Sequence, residues 1–262
     1  MSAREGAPVR YRARVEYDGT DFAGFQAQRP GTRTVQGELE AALATLSGGI
    51  RQPVSGSGRT DAGVHASDQV IAFSWSGRLP APELERALAA LLPRDIGIHD
   101  LRRAPSGFSP RRAARYREYR YTVWNGPRSP LRERHALGVR VPLDATAMAR
   151  AGSAFIGRHD FSAFGGPDRQ PVRTVHAVRV RRVGRLVTID VRADAFLRGM
   201  VRRMVAVLLE AGQGQLNEAD VAAMLADRRP ALGGAMAPAR GLCLRRVALG
   251  RRQERPETRE ER

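Results

Sequence analysis

The 262-residue chain contains no lysine, so all 44 of its basic side chains are arginine. That excludes a Schiff-base lysine and the lysine of a phosphate-binding P-loop, although codon usage alone produces the same bias. A single cysteine, Cys243, excludes an intramolecular disulfide framework and a thiolate metal cluster. No apolar run approaches the length of a membrane span, and the opening residues MSAREGAPVR lack the apolar segment of a signal peptide. A cytoplasmic location is expected. Acidic residues are also scarce beside the basic ones, 27 against 44, which leaves a net charge of +17. Such an imbalance implies a polyanionic partner, RNA or DNA before an acidic membrane surface. With 42% hydrophobic residues the chain can still bury a substantial core.

The order of elements predicts an α+β fold. Val9, Tyr11, Ala13, Val15 and Tyr17 alternate with Arg10, Arg12, Arg14 and Glu16, the period of a strand with one apolar and one arginine-rich face. Val35, Leu39, Leu43 and Leu46 recur at helical spacing, with Thr34 as N-cap and Gly48-Gly49 as the stop. QVIAFSW (69–75) reads as a buried strand, PAPELERALAALLP (80–93) as a helix bounded by prolines, and Ile96 to Leu101 as a short strand. YREYRYTVW, Tyr116 to Trp124, is aromatic and β-branched with arginines interleaved, which suits a strand with one face in the core and one reachable by a ligand. A helix around Ala145 to Phe155, a hairpin turning at Gly184, helices from Phe196 to Ala211 and after Asn217, and a closing strand GLCLRRVAL complete the pattern. The expected organisation is a leader (1–8), an N-terminal half (9–107), a C-terminal half (108–250) and a disordered charged tail (251–262). Two comparable α/β halves would share a mixed, largely antiparallel sheet, with helices on one face and a central basic cleft.

Several chemistries fail on inspection. GSGRTDAG is not a dinucleotide loop, because aspartate stands where the third glycine of that pattern is needed. The five histidines show no close ligand pair along the chain, so no metal is expected. No nucleophile-elbow serine motif is present. What remains is Asp61, set in the glycine-rich stretch SGSGRTDAGVHASDQV (55–70) with glycines at 56, 58 and 63. The plain reading is a turn-forming aspartate paired to Arg59. The functional reading is a nucleophile or base with a neighbouring arginine that can contact phosphate or fill a gap in a base stack.

GRTDAGVHA (58–66) closely resembles the signature of the tRNA pseudouridine synthase A family, in which that aspartate is catalytic. Further segments match in the same order: VEYDGTDFAGFQAQ, YREYRYTVWN, GRHDFSAF, DAFLRGMVRRMV and ARGLCLRRV, together spanning about residues 9 to 249. The resemblance implies isomerisation of uridine to pseudouridine at positions 38, 39 and 40 of the tRNA anticodon stem-loop, without metal, nucleotide or redox cofactor. It makes Asp61 the catalytic carboxylate, whether by adding to the base, attacking the sugar or removing a ribose proton. Tyr119 becomes the active-site tyrosine that stacks on the uracil and assists at its C5 proton, and Arg202 the counter-charge of the aspartate. Arg59, Arg14 and Gln26, with Tyr119, are the expected RNA contacts. A homodimer whose subunits both contact one tRNA is implied as well. The chain departs from the pattern at Ser109, Pro110 and Arg112, where relatives often carry histidine, alanine and phenylalanine. Two other classes stay open: a non-catalytic RNA-binding protein of the same fold, indifferent to Asp61→Ala, and a glycosidase, which needs a second carboxylate, Asp68 being nearest in sequence.

Overall fold

The computed structural model describes residues 7–228 and 231–250. The charged tail and residues 1–6 of the leader lie outside that range. In chain order the elements are β1 (Val9–Tyr17), α1 (Val35–Leu46), β2 (Ser55–Gly56), β3 (His65–Trp75), α2 (Ala81–Leu91), β4 (Ile96–Arg103), α3 (Pro110–Ala113) and β5 (Ala114–Asn125). There follow β6 (Leu137–Val139), α4 (Ala145–Ser153), β7 (Gly157–Asp160), β8 (Val172–Val183), β9 (Leu186–Ala193), α5 (Met200–Gly212), α6 (Glu218–Asp227) and β10 (Leu242–Leu249).

Local chemistry sets most of these boundaries. The Thr34 hydroxyl oxygen accepts the Gly37 N–H at 3.1 Å and opens α1, and the positive φ of Gly48 and Gly49 turns the chain away after it. Asn217 and Asp220 form a reciprocal capping box at the start of α6. The helix expected from Phe196 begins instead at Met200, because Gly199 sits at φ 71° and interrupts the helical path. Residues 196–199 are thereby released from the helix and face the cleft described below.

The strands form one ten-stranded sheet in the order β4-β1-β3-β10-β5-β9-β8-β7, with β2 added on β3 and β6 on β5. All pairs are antiparallel except β10 with β3 and β5 with β6. The β3–β10 pairing joins His65 to Cys243 and Ala66 to Leu244, and it places the last strand of the chain at the middle of the sheet. Directly opposed residues share a face, so register traces a row across it: Val191, Tyr119, Leu244, Ala66, Tyr17 and Ile96, all buried. Helices cover this side; α4 packs there with Gly152 so close to Val178, the partner of Val191, that a Cβ would lie 2.9 Å from a Val178 methyl. The opposite side carries charge: Arg120 is paired to Asp190 at 2.7 Å, and Arg14 to Asp68.

Candidate active site

The stretch around Asp61 is held from both flanks. Upstream, the Ser57 N–H donates to the Val70 carbonyl at 2.8 Å, its hydroxyl donates to Gln69 at 2.6 Å, and the Gln69 amide donates to the Gly58 carbonyl at 2.9 Å. Arg117, buried on β5, donates from Nε to the Ser57 carbonyl at 3.1 Å. At the turn itself, Phe25 N–H donates to the Thr60 carbonyl at 3.1 Å, the Thr60 and Tyr17 hydroxyls are 2.8 Å apart, and Val64 N–H closes back on the Asp61 carbonyl at 3.2 Å. Few of these groups face water, so each hydrogen bond would leave a desolvated donor or acceptor if broken. The loop is accordingly a rigid mount.

The Asp61 carboxylate, 36% exposed, lies 3.6 Å from Nη1 of Arg202 in the first turn of α5. The plain pairing with Arg59 is replaced: Arg59 is exposed and makes no ion pair or hydrogen bond among the described residues, while Arg202 is anchored by its own Nε donating to the Ala237 carbonyl at 2.7 Å. A partly exposed ion pair contributes about 0–1 kcal/mol to stability. Its significance is therefore orientation of the carboxylate rather than support of the fold.

Tyr119 is 7% exposed, with its ring edge-on to Phe196 at 5.2 Å between centroids. Burial pushes its phenol up to about 12; Asp61 adds to the rise and Arg117 opposes it. It is thus an un-ionised hydroxyl on an aromatic surface throughout the neutral range. Asp61, Arg59, Tyr119, Arg202 and Gln26 all line one cleft of about 870 Å³. Gln26 donates to Gln36 at 2.6 Å from the cleft wall. Arg14 is not among the lining residues; it lies on the charged side of the sheet, paired to Asp68 and, at 3.6 Å, to Asp100. Asp68 is occupied by Arg14 and by the Val247 N–H, also away from the cleft lining, so it does not furnish a second carboxylate there.

Two contributors to the site, Arg117 and Phe196, are not expected from the sequence. Arg117, one of the arginines interleaved in its strand, shares the inward face with Tyr119, two residues on, and holds the loop from below. Arg120 points to the other side, onto Asp190. Phe196 entered the cleft only because Gly199 delays α5, which helical periodicity does not reveal.

The fold also gathers histidines that are far apart in sequence. Ligand-capable atoms of Asp18, His65 and His135 lie within 4.8 Å of one another. The cluster is already filled by internal groups: the Gly19 N–H donates to Nδ1 of His65 at 3.1 Å, Nε2 faces the Arg240 carbonyl at 3.1 Å, and Nε of Arg134 lies 3.2 Å from Asp18. Burial lowers the His65 pKa, with Asp18 opposing, while hydrogen bonds from Thr20 and the His65 and Arg134 charges outweigh burial and bring Asp18 down to about 2. This arrangement reads as a structural knot behind the loop, tying it to the Asp18 turn and to residue 240.

A family model described as tRNA pseudouridine synthase matches residues 13–109 and 151–248, the two stretches that carry Asp61 and Arg202. The chain belongs to the tRNA pseudouridine synthase family. Curated members are similar over nearly their whole length. A tRNA pseudouridine synthase A of Geotalea uraniireducens (strain Rf4) is 43% identical over 236 residues, covering 88% of this chain and 95% of the relative. One of Brevibacillus brevis (strain 47) is 42% identical, over 90% of this chain and 97% of the relative. One of Moorella thermoacetica is 44% identical, over 89% and 96%. Tyr119 falls between the two stretches matched to the family model, so its place in the site rests on geometry: register on β5, burial, and contact with Phe196.

Proposed function

We propose that the protein isomerises uridine to pseudouridine in the anticodon stem-loop of tRNA, at positions 38, 39 and 40. The observation that carries this reading is the Asp61–Arg202 pair beside an un-ionised, buried tyrosine in one cleft. A cleft of about 870 Å³ falls within the roughly 300–1,000 Å³ typical of sites for a small organic group. A uridine within a stem must leave the stack to enter it, at a cost of a few kcal/mol. Arg59, exposed and unpaired among the described residues, is free to occupy the gap while contacting phosphate.

The reaction breaks the N1–C1′ bond, turns the base, and forms a C5–C1′ bond; C5 loses its proton and N1 ends protonated, with no net oxidation. Asp61 acts as the nucleophile that opens the sequence, held in aim by Arg202. Tyr119 stacks on the detached uracil and stands near its C5 proton. Gln26 offers a polar contact on the cleft wall. Arg14 would have to release Asp68 and Asp100 to touch RNA, so it is left out of this contact set. The same reading places the protein in the cytoplasm as a homodimer, which sedimentation with and without tRNA checks.

The test is tritium release from tRNA transcripts labelled at uridine C5, since forming the new glycosidic bond expels that hydrogen. Wild type is expected to release tritium and Asp61→Ala to release none while still binding tRNA. Binding without any release by wild type would overturn the enzymatic reading in favour of a non-catalytic RNA-binding protein.

A further inference from the structure

A second cavity, of about 180 Å³, opens in the loop after β5, away from Asp61. Its lining includes Trp124, Arg128, Arg132, Glu133, Arg140 and Arg240. Four guanidiniums face one carboxylate, and Glu133 is already bound to Arg128 at 2.6 Å. Arg140 and Arg240 have no ion pair among the described residues, and Arg132 rests on the Trp124 ring, 4.5 Å from its centroid. Among the described residues only Glu133, which feels the charge of Arg240 as well as that of Arg128, offsets these guanidiniums, so the cavity holds a surplus of positive charge. Its size falls below the roughly 300 Å³ at which pockets begin to admit a whole organic ligand, which leaves a compact anion. Planar forks of this kind match the oxygens of a phosphate.

We propose that this cavity is a phosphate site that grips one phosphodiester of the bound tRNA outside the reacting nucleotide. The inference rests on the tRNA reading above and adds a second point of contact to it. Its position favours RNA backbone over a free phosphate. Arg240 follows Ala239, whose Cβ stands 3.2 Å from where a Cβ on Gly63 would lie, and the Arg240 carbonyl meets His65. The site is thus joined through residues 239–240 to the far side of the loop that carries Asp61.

The test uses the double variant Arg132→Gln/Arg140→Gln, both positions exposed and outside the catalytic cleft, after a thermal melt shows it folded. Affinity for full-length tRNA is expected to fall about tenfold or more near 0.1 M salt, and the slope of log affinity against log salt to become shallower by about one, the signature of one lost phosphate contact. Tritium release at saturating enzyme is expected to stay at the wild-type rate. Unchanged affinity and slope would overturn the proposal. So would an affinity loss with an unchanged slope, which indicates packing rather than phosphate. Trp124 gives a direct readout, with Trp124→Phe as the silent control because Trp75 is buried. A fluorescence change with inorganic phosphate, lost in the double variant while tRNA affinity is untouched, would assign the site to a free anion and overturn it too. If wild type binds tRNA without releasing tritium, the enzymatic reading fails while the affinity and slope comparison still decides this site.

Discussion

Gly24 sits in the loop after β1 with φ +109°, and a Cβ added there would stand 2.9 Å from the Thr60 carbonyl oxygen, 3.3 Å from Ala62 N and 3.4 Å from the Asp61 carbonyl carbon. All three neighbours are backbone of the Asp61 loop, which is pinned on both flanks and has little room to retreat. Gly24→Ala therefore incurs two penalties. The left-handed backbone costs an alanine about 1–3 kcal/mol, and the contact with Thr60 adds about 1–3 kcal/mol of overpacking. A total near 4 kcal/mol corresponds to a melting temperature lower by about 8–16 °C for a domain of this size. Displacement of the carboxylate by a few tenths of an ångström should lower kcat about 10- to 100-fold, with KM little changed because the exposed Arg59 side chain stays free to meet RNA. Calorimetry and steady-state tritium release measure the two effects separately. Gly31→Ala is the control: φ is +82° but no atom lies within 4 Å, so it should lose stability and keep kcat. If Gly24→Ala melts early yet turns over within twofold of wild type, the aim of Asp61 does not depend on this close approach and the loop is not a rigid mount.

Other perturbations follow from the same geometry. Arg202→Gln should cut kcat by about 10²–10³, the scale of removing one preorganised electrostatic partner, with a stability loss of about 1.5–3 kcal/mol from the hydrogen bond to the Ala237 carbonyl; a melting shift of that size with intact kcat would reverse its role. Because the Tyr119 phenol is pushed up to about 12, the pH–rate profiles of wild type and Tyr119→Phe should run parallel between about pH 6 and 9; a basic limb present only in wild type would contradict this. His65 has a folded pKa below its unfolded value, so the unfolded chain takes up its proton first as pH falls, and stability declines below about pH 6.5. Thermal melts from about pH 7.5 to 5.5 should therefore drop more steeply for wild type than for His65→Gln, and equal slopes would refute the assignment.

Legibility in the sequence followed locality. β1 and α1 appear with the expected ends because alternation, the Thr34 cap and the paired glycines act within a few residues. Asp61 is legible because it stands in one contiguous glycine-rich stretch, whereas the outside supports of that loop, Tyr17, Phe25 and Arg117, come from β1, the loop after it and β5. The partner of that carboxylate was not readable from the residues alone: Arg202 reaches it only through the packing of α5, and the nearer Arg59 offered a simpler pairing that the fold declines. The short strands β2, β6 and β7 escaped notice because two to four residues carry no period. Likewise the histidine cluster behind the loop unites positions 18, 65 and 135, which no spacing rule connects.

The place of β10 sets a timetable for the nascent chain. This strand is the last element of the described fold, yet it fills the middle of the sheet, with Val247 bonded to Asp68 across 179 positions of sequence. Until it is synthesised, β3 and β5 present bare edges to one another and to other chains, the exposure that invites misassembly. Closing so distant a contact is also slow on entropic grounds. Asp61 and Tyr119 stand on opposite banks of that gap, so a chain truncated before Leu242 should be both aggregation-prone and catalytically silent. Competence to act on RNA then arrives as a single late event, when the final strand is laid between the two.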